Sequence, residues 1–183
     1  MRKPAALRAH ITAATPELQR DPDKLAVYVN AGKIVAAAAG SLSFEYRYTL
    51  TLTVLDYAGH PDAILVPMLA WLQRHQVELF DNPDTREKAI RFEAEFLNKE
   101  TIDLTIEVDL SERVIVKAVP APTPPANGQP APLPPTTATR YTIEHVGEQP
   151  RPGTFDQREH YSLWLRDQLL AEWDHDPGIV PAG

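Results

Sequence analysis

The chain has 183 residues, of which 43% are apolar, and this suits one globular domain with an appendage rather than two large domains. It contains no cysteine, which excludes disulfides, thiolate zinc sites and a cysteine nucleophile. The net charge of -7 is shared along the chain: residues 1–117 hold 14 Lys and Arg against 17 Asp and Glu, and residues 118–183 hold 4 against 8. This balance disfavours a dedicated nucleic-acid binder, although an acidic surface can still line a passage for DNA.

The N-terminal segment, MRKPAALRAHITAATP, predicts an amphipathic helix that ends near Pro16. Its apolar residues recur at helical spacing; they are Leu7, Ile11, Ala14 and Leu18. The other face carries three cations that are candidates for partner binding, Arg2, Lys3 and Arg8. The polar interruptions exclude a signal peptide, and no later run is apolar enough to span a membrane, so we expect a soluble protein made in the cytoplasm.

The next two segments predict strands. LAVYVNAGKIVAAAAG suggests a β-hairpin whose turn is Asn30-Ala31-Gly32, since Asn and Gly tolerate left-handed backbone angles. SFEYRYTLTLTVLD alternates strictly and predicts one long strand. One face of this strand carries Phe44, Tyr46, Tyr48, Leu50, Leu52 and Val54, and the other is polar, with Arg47 as a further candidate for partner binding.

The rest of the first 119 residues predicts a helix followed by strands. A helical stripe runs over residues 64–76, with Pro67 as a kink or as the end of a short first turn. Alternating strands follow at residues 90–96 and 102–108, and a separate final strand at 113–119. This order predicts an α+β domain over residues 1–119, with a mostly antiparallel sheet and helices packed on one side.

Residues 120–138 predict a linker, because PAPTPPANGQPAPLPP holds eight prolines and favours an extended polyproline-like spacer. Residues 139–183 form a C-terminal arm, in which ATRYTIEHV alternates like a strand. HYSLWLRDQLLAEWD fits either a short helix or two strands that turn at Arg166-Asp167. An arm of this size cannot bury a core of its own, so we expect it to dock through apolar candidates for partner binding, which are Trp164, Leu165, Leu169 and Trp173.

The stretch DYAGHPD offers residue types used in catalysis. Asp56, His60 and Asp62 could serve a metal-dependent hydrolase. We favour a structural interpretation, in which Gly59 allows a turn, Pro61 begins a helix and Asp62 lies in its first turn. The remaining histidines are dispersed, and the chain has neither a phosphate-binding glycine loop nor a nucleophile elbow, so we predict no catalytic, cofactor or metal site.

The aromatic row from Phe44 to Tyr48, together with Arg47, could stack on the bases of a single-stranded nucleic acid. The acidic net charge favours an inward-facing core row instead.

Three stretches form a distinctive combination within residues 1 to about 118: MRKPAALRAHITAA, SLSFEYRYTLTLTVLDYAGHPDAILVPMLAWLQRHQVEL and IDLTIEVDLSERVIV. Together they resemble the tail completion protein R family of contractile-tailed temperate phages. LWLRDQLLAEWD resembles the short Trp-terminated segment that closes family members, which implies a β-hairpin. The chain departs from the pattern between Pro120 and Gln157, where its linker is long and proline-rich.

The resemblance implies a virion structural protein that acts as a tail terminator. It implies a ring, expected to have six subunits, that caps the tail tube and sheath at the tail-neck junction and offers an attachment surface to the head-neck connector. The implied partners are other copies of the chain, the tube protein, the sheath protein and the neck proteins. DNA is expected to pass through the ring without specific binding, and no membrane contact is expected. The alternatives are the hydrolase and the single-stranded nucleic-acid binder.

Overall fold

The computed structural model describes residues 1–97, 100–119, 140–147 and 159–175; the predicted linker at 120–138 lies outside them. In the described residues the helices are α1 (Lys3–Ala14), α2 (Pro16–Arg20), α3 (Asp62–His75), α4 (Glu78–Asp81) and α5 (Pro83–Arg86), with a 3-10 turn at Pro22–Lys24. The strands are β1 (Leu25–Ala36), β2 (Phe44–Tyr57), β3 (Ile90–Phe96), β4 (Ile102–Val119), β5 (Arg140–Val146), β6 (Glu159–Leu165) and β7 (Gln168–His175).

Five strands form one antiparallel sheet, in the order β1-β2-β4-β3, with β5 also paired to β4. β2 pairs with residues 102–114 of β4, whereas β3 pairs with 102–108 and β5 with 113–119. Since β3 and β5 each overlap the part of β4 that β2 also pairs with, both must lie on the opposite edge of β4. The predicted α+β fold with a mostly antiparallel sheet is confirmed.

The predicted hairpin at residues 25–40 is wrong. β1 is one strand that pairs with β2 on both sides of Asn30, and the register shifts between Val29 and Ala31. Asn30 therefore forms a bulge rather than a turn, and its side-chain amide donates to the Thr51 hydroxyl at 2.9 Å. The long strand β2 supplies pairing partners for the whole segment, so the ladder outweighs the local turn preference.

The separate final strand predicted at 113–119 is also wrong, because β4 continues without a break for 18 residues. Its alternation passes through Leu110, Glu112 and Val114, all of which are buried. The buried Glu112 continues the alternation of inward and outward side chains across the interval where the sequence had suggested a break between two strands.

The core lies between one face of the sheet and helices α1 and α3. The predicted helix stripes are buried, including Leu7, Ile11, Ile64 and Met68, and they pack with the predicted inward row of β2. Pro67 lies inside α3 and has no N–H to donate to the carbonyl of Ala63, four residues earlier. The buried hydroxyl of Thr15 donates to that carbonyl instead, at 3.1 Å, and ties the end of α1 to α3.

The described arm residues are strands. β5 extends the main sheet, and β6 pairs with β7 in an antiparallel hairpin whose turn includes Arg166 at φ 53. The strand interpretation of HYSLWLRDQLLAEWD is therefore correct and the helix alternative is not. The hairpin docks on the helix layer of its own chain, where Leu170 and Ala171 pack against Ala63.

Candidate interaction surfaces

The DYAGHPD loop is held by backbone contacts. Asp56 takes a positive φ of 50°, its N–H donates to the Asp103 carboxylate at 2.8 Å, and its carbonyl accepts from the Lys24 ammonium at 2.7 Å. Gly59 does not adopt a positive φ. A glycine is required at this position because a Cβ would overlap the buried Tyr57 ring. The turn therefore has a structural explanation, but its left-handed residue is the aspartate.

His60 and Asp62 lie together at the start of α3, with His60 Nδ1 3.4 Å from an Asp62 carboxylate oxygen. Pro61, which was predicted to be the first helical residue, is instead the N-cap residue, and Asp62 lies in the first turn as predicted. Across the described ranges, no group of three or more His, Asp or Glu residues is arranged to hold a metal ion.

The aromatic row of β2 points to the helix side. Tyr48 is buried, and its hydroxyl donates to the Glu112 carboxylate. Phe44 and Tyr46 pack edge to face, with ring centroids 4.8 Å apart. With Tyr48 enclosed, the row cannot present three rings to successive bases.

The sequence pattern did not predict the role of Glu112. It is only 6% exposed, and its carboxylate accepts from the backbone N–H groups of Arg2 at 2.7 Å and Lys3 at 3.3 Å, besides the Tyr48 hydroxyl. A carboxylate at a helix N-terminus satisfies amides that have no partner within the helix. Its signal was present: a charged residue occupies an inward position of the alternating row in LSERVIV. Glu112 thus anchors α1 to the sheet.

Burial first, and then the hydrogen bond and negative charge of Glu112, raise the pKa of Tyr48 well above its ordinary value. Burial likewise raises the pKa of Tyr57, with a smaller effect of Glu17. Both phenols therefore stay neutral at physiological pH.

Gln76 hydrogen-bonds to β4 between the part paired with β3 and the part paired with β5. Its side-chain oxygen accepts from the Ser111 N–H at 3.1 Å and its side-chain nitrogen donates to the Ser111 hydroxyl at 3.0 Å. Beside it, the Asp109 N–H donates to the Ala89 carbonyl at 2.9 Å. The edge of β4 thus remains hydrogen-bonded where neither neighbouring strand reaches it.

The N-terminal cations predicted to bind partners are partly used within the chain. The Lys3 ammonium donates to the Gln76 side-chain oxygen at 2.7 Å, and the Arg8 guanidinium donates to the carbonyls of Pro22 and Leu25 at 3.3 Å each. Arg2 contributes its backbone N–H, as described above. Arg47, on the opposite sheet face, is 54% exposed and pairs with Glu45 at 2.9 Å.

The sheet face away from the helices is polar. Arg91 bridges Glu107 and Asp109 at 3.2 and 3.1 Å, and the Thr49 hydroxyl donates to Asp109 at 2.7 Å. Burial raises the pKa of Asp109, but the hydrogen bonds from Arg91 and Thr49 outweigh it and leave the pKa below its ordinary value. An open cleft of about 650 Å³ lies near one end of this network, lined by Gly32, Leu79, Lys88 and Leu110 among others.

The hairpin divides the four apolar arm residues between two sides. Trp173 stacks on Tyr161 and contacts the His10 ring of α1, with centroids 5.6 and 6.5 Å apart. Half-buried Leu169 pairs with Trp164 across the two strands. Trp164 is 56% and Leu165 45% exposed at the end of β6, which we call the hairpin tip. The structure therefore places Trp173 beside His10 on α1 and leaves the hairpin tip open.

The sheet extends past the helix layer at one end. We call this end the sheet overhang; it comprises residues 33–36, 44–47, 112–119 and 140–146. By register, its helix-side face carries Ile34, Ala36, Phe44, Tyr46, Val114, Val116, Ala118, Tyr141 and Ile143, together with Glu112 and His145, whose side chains approach to 3.8 Å. Ile34 and Ile143 are 65% and 68% exposed, so the described helices leave much of this apolar face uncovered.

Among the described residues, no helix combines the length and the apolar character needed to span a bilayer.

Comparison with known proteins gives two matches. A family model described as P2 phage tail completion protein R (GpR) matches residues 1–130. The tail completion protein R of Escherichia phage P2 is 33% identical over 174 residues, which cover 95% of this chain and 99% of that relative. No solved structure matches the chain.

The resemblance read from the sequence is confirmed. Because the family is one of structural phage proteins, the interpretation of the chain as a structural protein and not an enzyme is confirmed too. The chain belongs to the P2 phage tail completion protein R family.

Proposed function

We propose that this tail completion protein acts as a terminator: several copies form a ring, expected to be a hexamer, that caps the tail tube and sheath at the tail-neck junction. The ring then offers the attachment surface for the head-neck connector. DNA passes through it without specific binding, in keeping with the chain's net charge of -7.

One observation supports this proposal above the others: the exposed large apolar side chains are concentrated on strands and the hairpin. They are Met1, Tyr28, Ile34, Val35, Leu42, Leu55, Phe92, Phe96, Leu97, Tyr141, Ile143, Val146, Trp164 and Leu165. Apolar patches on a folded chain mark surfaces that other chains cover. The edge strands β1 and β3 add free backbone groups to which neighbouring subunits can pair.

The partner-binding residues are part of this proposal. Trp164 and Leu165 are exposed and can contact another chain directly. Arg47 is also exposed, on the sheet face away from the helices, and can contact a partner there. Arg2, Lys3, Arg8 and Trp173 hold α1 and the hairpin in position, so they contribute to a partner surface through its shape. Half-buried Leu169 lies across from Trp164 in the hairpin and can contact another chain beside it.

The test is complementation. In a phage that lacks its own gene for this protein, supplying the chain should restore finished tails that join heads, as counted by electron microscopy and by infectious titre. Labelled chains should lie at the head-proximal end of the tube. Restored infectivity with the label elsewhere on the particle would contradict the terminator role, and normal tails without the chain would contradict any role in completion.

A further inference from the structure

We propose that the outer edge of β1 in one copy pairs with the outer edge of β3 in the next copy, so that the main sheet continues from subunit to subunit. This inference deepens the proposed ring and rests on it, because it names the two strand edges that join neighbouring subunits.

β1 and β3 lie at opposite edges of the sheet, and each has a free outer edge. On that side, the backbone of residues 31–36 and 90–96 forms no hydrogen bond with another described residue. A free strand edge presents a row of unpaired N–H and C=O groups, which another strand can satisfy. In β1 the regular free stretch begins after Asn30, because the register shifts there and Arg8 already donates to the carbonyl of Leu25 before it.

The edge of β3 is apolar on one face of the sheet and acidic on the other. By register, Phe92 and Phe96 lie on the helix side, where they are 64% and 75% exposed. Glu93 and Glu95 lie on the reverse side, and Glu95 is opposite another acid, Asp103. Neither glutamate forms an ion pair with another described residue. A strand that completes this edge must therefore be apolar on the helix side and basic on the reverse side.

β1 has this composition. Among the described strands it alone contains no Asp or Glu, and its single charged residue is Lys33. Lys33 lies on the reverse side opposite Arg47, which pairs with Glu45, so the neighbour of Lys33 is a second cation. Ile34 lies on the helix side and is 65% exposed. The charges of the two edges thus lie on the same face of the sheet, and edge pairing brings opposite charges together.

One register satisfies both faces at once. Successive neighbours in the order β1-β2-β4-β3 are antiparallel, so β3 runs opposite to β1, and a copy that continues the sheet in the same orientation pairs its β1 antiparallel to β3. Placing Lys33 opposite Glu93 aligns residues 31–36 with 90–95 and sets Ile34 against Phe92. Glu95 then lies diagonally from Lys33, within reach of a long side chain.

Pairing between identical edges is disfavoured by the same charges. β3 against β3 would set Glu93 and Glu95 against their own copies, and β1 against β1 would set Lys33 and Arg47 against theirs, because a two-fold axis through the sheet keeps each face on its own side. Pairing β1 with β3 uses two different surfaces of one subunit. Such a heterologous contact closes into a ring when the rotation between subunits allows it.

The test is disulfide cross-linking, which the absence of native cysteine makes specific. Full-length chains that carry both Lys33→Cys and Glu93→Cys should form a ladder of covalent oligomers on mild oxidation of completed tails. Lys33→Cys alone and Glu93→Cys alone should form none, and a mixture of these two single variants should give covalent dimers and no larger species. The matched control combines Lys33→Cys with Thr105→Cys, which is beside Glu93 on the same face but one strand further from the edge, and should not cross-link.

A charge exchange gives a second, independent measurement. Glu93→Lys puts like charges together, so the protein concentration at which half of the chain assembles on tails, followed by light scattering, should rise about fivefold. Adding Lys33→Glu to this variant should restore the wild-type value. If the double-cysteine chain does not complete tails, an exchange that fails to restore assembly overturns the inference.

Completed tails in which the double-cysteine chain links no more than the Thr105→Cys control, or single variants that link to themselves, would also overturn the inference. This failure is separable from failure of the proposed function. If tails are completed without the cross-link, only the contact is wrong, whereas if the wild-type chain does not complete tails, the terminator role is wrong.

Discussion

Glu112 shows how one residue can determine the placement of an element. Its carboxylate accepts from two α1 amides and from Tyr48 at a position where an apolar side chain would satisfy the strand pattern equally well. The helix-side row of β4 could be predicted from alternation alone. The role of Glu112 could not, because its partners are 64 or more residues away in sequence and only the fold brings them together.

Glu112→Ala should destabilise the fold by about 2–3 kcal/mol, since buried donors lose their acceptor. Urea unfolding measures this change. The matched control is Glu107→Ala on the same strand, whose carboxylate is partly exposed and pairs with Arg91, so its cost should stay within about 1 kcal/mol. If Glu112→Ala costs as little as Glu107→Ala, the contact of Glu112 with α1 is not important for stability.

Gly59→Ala should destabilise the fold by about 1–3 kcal/mol, because the new methyl group overlaps the buried Tyr57 ring. His60→Ala next to it should change the melting temperature little and should leave tail completion intact, since the exposed imidazole of His60 contacts Asp62 at the start of α3 and the backbone contact of His60 is unaffected. Gly147→Ala is the control for added side-chain bulk, because a Cβ there meets no atom within 4 Å. A stoichiometric divalent metal in the loop, lost in His60→Ala, would contradict the structural interpretation.

Stability should fall as the pH rises above about 10, the ordinary pKa of tyrosine. Tyr48 and Tyr57 have raised pKa values in the folded chain, so above pH 10 the unfolded chain releases protons that the folded chain retains. Each such group lowers the free energy of unfolding by up to about 1.4 kcal/mol per pH unit. Tyr57→Phe should reduce this slope by about half, and a slope identical to that of wild type would show that Tyr57 ionises freely in the folded chain.

At the scale of elements, the sequence patterns predicted whether a segment is a helix or a strand better than they predicted where it begins and ends. β2 and α3 were found where alternation and helical spacing placed them, since each buries a face along its own length. β1 and β4 were each divided wrongly at Asn30 and near Glu112, where a local turn preference or a charge suggested a break. In both cases a long partner strand continues the ladder, and this information lies outside the segment. The sheet overhang was not predicted for the same reason, because it requires the register of four strands.

The hairpin should behave as a separate element with a small attachment. Ala171→Asp places a charge in the contact with Ala63, so amide hydrogen exchange in β6 and β7 should become at least about tenfold faster. Exchange in β2 and β4 should not change. Glu172→Ala, one residue along on the exposed side, is the control. Faster exchange throughout the sheet would mean that the hairpin and the main domain unfold together.

For the whole molecule, the charge distribution bears on the passage of DNA. The net charge is -7, and the polar sheet face sets Glu107 and Asp109 around a single Arg91. We expect fluorescence anisotropy to show binding to single- or double-stranded DNA no tighter than a Kd of about 10⁻⁴ M at physiological salt. Tighter binding that weakens steeply as salt is added would instead support the nucleic-acid-binding alternative.

β4 also gives the molecule a mechanical property. Its 18 residues span about 60 Å at ~3.3 Å per residue, with β2 along one edge and β3, Gln76 and β5 along the other. A pull directed along this strand loads its hydrogen bonds in shear, so many must fail together, whereas a pull across it would open them one at a time. A force applied to the protein along β4 is therefore opposed by many hydrogen bonds at once, so the subunit resists tearing in this direction more than in the direction across the strand.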